Sequence, residues 1–83
     1  MEYEFFTFRS ITRGQLALRY LLAADVTAVL MRAPRQLSQE GCAYAIRVQA
    51  ADAAWAAQIF DHNAVLFQRR FHQSNGRYWE VGQ

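Results

Sequence analysis

Apolar positions along the chain change period several times, and each change marks a predicted element. Residues 3–9 (Tyr-Glu-Phe-Phe-Thr-Phe-Arg) read as a strand, with Tyr3 and Phe5 on one face and Phe6 and Phe8 on the other. Thr12-Arg13-Gly14-Gln15 has the form of a capping box. The helix it opens should reach about Ala24, with Ala17, Leu21 and Ala24 on one stripe widened by Leu18 and Leu22. Residues 27–32 are a second strand, stopped by Ala33-Pro34, and residues 43–48 are a third, in which Tyr44, Ile46 and Val48 alternate with Ala43, Ala45 and Arg47. Helical spacing returns over residues 50–62, where Trp55 and Ile59 stand four apart, and Asn63 is placed as a left-handed terminator. Residues 65–72 form a fourth strand, and Asn75-Gly76 supplies a tight hairpin into residues 78–81.

This order predicts an α+β fold, a ferredoxin-like βαββαβ sandwich with a C-terminal β-hairpin extension, built as a single domain over residues 1–83. Two helices cover one face of such a sheet. The first strand is apolar on both faces, so a second copy is the simplest cover for the other, and a homo-oligomer is expected. At 83 residues, 53% of them hydrophobic, the chain should be ordered but only modestly stable alone.

Charge and composition exclude more than they assign. The apolar run 16–31 is broken by Arg19 and Asp25, so no membrane span is expected, and the first residues lack a basic signal-peptide region, so the setting is read as cytoplasmic. With one cysteine and only His62 and His72, the chain has no intramolecular disulfide and no zinc-like spacing, so neither metal nor cofactor is expected. All nine basic residues are arginine, yet the net charge of +2 is a weak phosphate footprint. Phe6, Phe8 and Tyr44 could serve as stacking platforms for RNA, but residues 41–48 match an RNP1 pattern only faintly, which argues against nucleic acid. Arg69 and Arg70 should point to opposite faces as solvated or interface charges, and His72 should pair with Trp79 across the hairpin.

The remaining candidate chemistry is a thiol. Cys42 ends the loop 33–42, and Arg35 in that loop is a cation able to favour the nucleophilic thiolate. On residue type alone Cys42 reads first as a small apolar residue packed at the start of the third strand, and a buried sulfur would favour that reading. Arg35 is equally readable as a solvated loop charge, and Ser10 and Ser38 as turn or cap hydroxyls.

Phe8-Arg9-Ser10 at the first strand-to-helix turn, Pro34-Arg35-Gln36-Leu37-Ser38 in the loop and Gly41-Cys42 after it together resemble the selenium/sulfur carrier protein-like family over roughly residues 5–62. Its pattern is a Phe-x-Ser turn, then Pro-Arg-x-(Leu/Ile)-Ser, then a cysteine. Two details differ: three residues rather than two separate Ser38 from Cys42, and Ala43 stands where the family has glycine. The resemblance implies a carrier that holds activated sulfur or selenium on Cys42. Arg35, Ser10, Ser38 and Gly41 would support the thiol or a partner, a cysteine desulfurase or other donor would load it, and an acceptor protein would unload it. Catalytic turnover by the chain itself stays open. A non-catalytic module binding a small ligand or another protein on the same fold is the alternative.

Overall fold

The computed structural model describes residues 1–82. Its elements are β1 (Tyr3–Phe8), α1 (Ile11–Ala23), β2 (Ala28–Arg32), β3 (Tyr44–Gln49), α2 (Ala53–His62), β4 (Arg70–Ser74) and β5 (Arg77–Glu80), with single 3-10 turns at Arg35–Leu37 and Ala50–Asp52. The five strands form one sheet in the order β2-β3-β1-β4-β5, and every neighbouring pair is antiparallel. The helices lie over β1, β2 and β3. No helix among the described residues is long and apolar enough to cross a membrane.

Helix α1 begins earlier than its capping box suggests. Ser10, extended at φ −120° and ψ 145°, is the N-cap, and its hydroxyl accepts from the Arg13 amide at 3.1 Å. Thr12 is left exposed within the first turn. The first hydroxyl after β1 prevails because only Arg9 separates it from the strand, so the chain turns at once. At the other end Asp25 takes φ 61°, with Asp25 and Val26 amides donating to the Leu22 and Leu21 carbonyls in a Schellman motif. Gly14 is buried rather than merely tolerated: a Cβ there would lie 2.9 Å from Leu30 Cδ1, so the missing side chain lets α1 approach β2 closely.

The end of α2 and the start of β4 also shift. Asn63 is the C-cap at φ −102°, its side-chain amide donating to the Ile59 carbonyl at 2.8 Å, and the left-handed residue is Ala64 at φ 56°. The Val65 amide is spent on the Phe60 carbonyl to complete this cap, so residues 65–69 are not a ladder strand and β4 starts at Arg70. Val65 and Phe67 instead enter the core, Phe67 standing edge-on to Phe6 at 4.9 Å between ring centroids. The hairpin forms as expected, with Asn75 and Gly76 both left-handed and Ser74 opposite Arg77.

Two cores lie on opposite faces of the sheet. On the helix side Phe6, Phe8, Leu21, Ile46, Val48 and Phe60 are fully or almost fully buried. On the other side Phe5, Leu37, Ala45 and Phe71 form a second cluster, with Tyr3, Met31, Ala33 and Tyr78 against it. A second copy is therefore not needed to cover Phe5. The loop between β2 and β3 folds back, and the 3-10 turn at Arg35–Leu37 brings Leu37 onto the sheet, leaving Phe5 only 3% exposed. Of the three rings named for RNA stacking, Phe6 and Phe8 face the helices and are 0% and 1% exposed, while Tyr44 is half-buried.

Candidate functional site: the Cys42 turn and its neighbours

The loop after β2 makes two consecutive tight turns. In the first, the Leu37 amide donates to the Pro34 carbonyl, and both the amide and the hydroxyl of Ser38 donate to the Arg35 carbonyl. In the second, the Cys42 amide donates to the Gln39 carbonyl at 3.0 Å, with Glu40 at φ 56° and Gly41 at φ 79° as the central residues. Gly41 is suited to that backbone because it has no Cβ. Beyond the turn the Ala33 amide donates to the Ala43 carbonyl, continuing the β2–β3 ladder.

Cys42 is buried, with 1% exposure, the outcome that favours reading it as a small residue packed at the start of the third strand over an accessible thiol. The physical reason is its position: it follows directly on an exposed turn and already belongs to the inward approach to β3, where a small polarizable side chain fills space well. Arg35 sits on the exposed 3-10 turn, and among the described residues no hydrogen bond joins it to Cys42. The Ser10 hydroxyl caps α1 and the Ser38 hydroxyl closes its own turn, so both carry the turn and cap roles. The β1–β3 register runs from Tyr3↔Gln49 to Phe8↔Tyr44, which leaves Ser10 and Cys42 each two residues past the same end of the ladder.

Charge reaches the turn from Arg69, the residue just before β4. Arg69 Nε donates to Glu40 Oε1 at 3.0 Å, its Nη2 bonds the same oxygen, and its Nη1 donates to Glu80 at 2.9 and 3.0 Å. The hydrogen bonds and charges of Glu40 and Glu80 hold the Arg69 pKa above its ordinary value. Alternation along the strand predicted opposite faces for the two arginines but not these partners, which come from 29 and 11 residues away. Arg70 points to the helix side, donating to Glu4 at 2.6 Å and lying over the Phe6 ring.

A second polar cluster lies where β4 and β5 extend past the helices. Glu4, 8% exposed, receives Arg70 on one oxygen and His72 Nδ1 on the other at 3.0 Å, while His72 Nε2 meets Glu2 at 2.9 Å. Carboxylates on both ring nitrogens favour the imidazolium, which donates from both. The hydrogen bond to Glu4, aided by Glu2 and by the charge of both, raises the His72 pKa against an opposing desolvation. Trp79 packs against this ring at a tilt of 36°, 5.2 Å between centroids, as cross-strand pairing predicted. A groove of about 580 Å³ between the end of α1 and α2 is lined by Tyr20, Trp55, Ile59 and His62 among others. No group of three or more metal-ligating side chains with metal-site geometry occurs among the described residues.

No curated protein and no solved structure significantly matches the chain. A family model described as putative Se/S carrier protein-like matches residues 2–71, from the start of β1 into β4, and so spans Ser10, the 34–38 turn and Cys42. On this match the chain belongs to the putative Se/S carrier protein-like family.

Proposed function

We propose that the protein is a carrier of activated sulfur or selenium, with Cys42 as the atom that holds it, in a ferredoxin-like domain working in the cytoplasm. The observation that carries this reading is the family match over residues 2–71, which includes the only cysteine of the chain. The strand order β2-β3-β1-β4, with α1 and α2 as the two crossovers, supports the ferredoxin-like assignment, and β5 is the hairpin extension.

The chemistry needs one sulfur. The Cys42 thiolate attacks the terminal sulfur of a persulfide on a donor such as a cysteine desulfurase. A new S–S bond forms on Cys42, the donor's S–S bond breaks, and the donor cysteine leaves as a thiolate. An acceptor thiolate repeats the step in the opposite sense. Sulfur and selenium share this chemistry. Because Cys42 is buried, transfer requires the turn 39–42 to move, and Arg35 and Gly41 on the exposed surface around it are the residues a partner would meet.

The test is incubation with a desulfurase and cysteine, followed by intact-mass analysis. One added sulfur, released by reductant and absent in Cys42→Ser, is the expected result. Absence of any adduct across several desulfurases would overturn the reading. The alternative, a small-ligand module, has its own observation in the groove lined by Tyr20, Trp55 and Ile59, and under it Cys42→Ser would keep full binding.

A further inference from the structure

Cys42 closes a turn that is fastened from outside by charge. Its amide holds the Gln39 carbonyl, so any opening of the turn moves Cys42 itself. Of the two central residues, Gly41 takes its positive φ freely, whereas Glu40 carries a Cβ in the left-handed region, where non-glycine residues are disfavoured. Such a conformation persists only where the surroundings impose it. Here the surroundings are the Arg69 guanidinium, bonded to Glu40 through Nε and Nη2 and to both oxygens of Glu80 through Nη1. Arg69 is itself anchored to β1: the Thr7 amide donates to its carbonyl at 2.9 Å, and its amide donates to Thr7 Oγ1 at 3.1 Å.

The fastening and the sulfur differ sharply in exposure. The Glu40 and Arg69 side chains are 58% and 32% exposed, whereas Cys42 is 1% exposed. Ion pairs this exposed are individually weak and screened by salt, so they can be released while the two cores stay intact. We propose that Glu40, Arg69 and Glu80 form a latch that gates the Cys42 thiol: paired, it keeps the turn closed and the sulfur buried; unpaired, it lets the turn open and present the sulfur to a reagent or partner. Its purpose rests on the carrier reading. Its existence can be tested without sulfur transfer.

The experiment is alkylation of Cys42 in the intact protein by iodoacetamide, a neutral reagent whose encounter with the protein is insensitive to salt. When opening and closing outrun the chemistry, the labelling rate follows the open population. Arg69→Ala and Glu40→Gln should each raise the high-pH plateau rate about threefold or more. The wild-type rate should climb towards theirs as sodium chloride is raised to about 1 M, while the variants respond little. Coincident plateau rates in wild type and both variants would overturn the latch. So would wild-type labelling whose urea dependence is as steep as that of global unfolding, because the sulfur would then be reached only through the unfolded chain. Faster alkylation with no sulfur adduct in any variant keeps the latch and removes the carrier, whereas unchanged alkylation with a normal adduct removes the latch alone.

Discussion

The helix-covered face of the sheet joins twelve buried residues into one core, and the loop-covered face joins four. Both faces are served by the same central strand, since Phe6 and Phe8 point one way and Phe5 the other. The difference lies in the cover. Two helices bring rigid apolar stripes, with Phe60 of α2 edge-on to Phe6 at 5.1 Å, whereas the loop brings Leu37 on a single 3-10 turn and the half-buried Ala33. A cover of regular structure contributes stability; a cover made of turns and surface ion pairs contributes less and can open at lower cost. The only thiol of the chain ends that second cover.

Removing the largest buried group from the helix side tests the comparison most severely. Phe60→Ala should cost about 3–5 kcal/mol, read as a lower midpoint in urea, because the space left is lined by Phe6 and Phe8, fixed on the central strand, and by Phe67. A loss below about 1 kcal/mol would mean that the helix layer is not the principal core.

Leu37→Ala makes the matching change on the loop side. It should cost about 2 kcal/mol, at the low end for buried leucine, because a turn can settle into the vacated space. Amide exchange should quicken first within residues 33–42 and leave α1 and α2 protected. If exchange rose equally throughout, the two faces would be one cooperative unit and the comparison would fail.

The smallest effect belongs to the polar strip beside both cores. His72 has a raised folded pKa, so its contribution to stability is fully present below the unfolded value and is lost as pH rises through the folded value. Glu4→Gln removes the charge on the principal partner and should bring the His72 pKa down towards the ordinary histidine range, measured by NMR titration of the ring. Thermal stability of the wild type should then fall on going from pH 5 to pH 9 more than that of Glu4→Gln. Equal changes would show that the strip is decorative and that stability lies in the two cores alone.

Local signals were legible where a residue's job depends on its near neighbours. The two-residue alternation of β1, the Asn75-Gly76 hairpin and the Ala17 and Leu21 stripe of α1 appear where the pattern puts them, whereas Leu22, read as widening that stripe, is exposed. Errors fell at boundaries where two local rules compete. Ser10 and Thr12 both offer a capping hydroxyl, and Asn63 and Ala64 both stand at the end of α2; the winner in each case depends on how soon the chain must meet the sheet. Of the candidate site, Gly41 and Cys42 were legible as the end of a loop, whereas the tight turn they make and its link to Arg69 were not.

By itself the sequence determined the succession of elements, the two apolar faces of β1 and the presence of one thiol at the end of the loop after β2, because each depends on residue type and short spacing. Tertiary structure decided what covers Phe5, that the thiol is inside, and which carboxylates meet Arg69, Arg70 and His72. Those outcomes join residues 11 to 70 positions apart. Periodicity records which face a side chain leaves from, but the loop that returns to cover that face is chosen by the packing of the whole sheet.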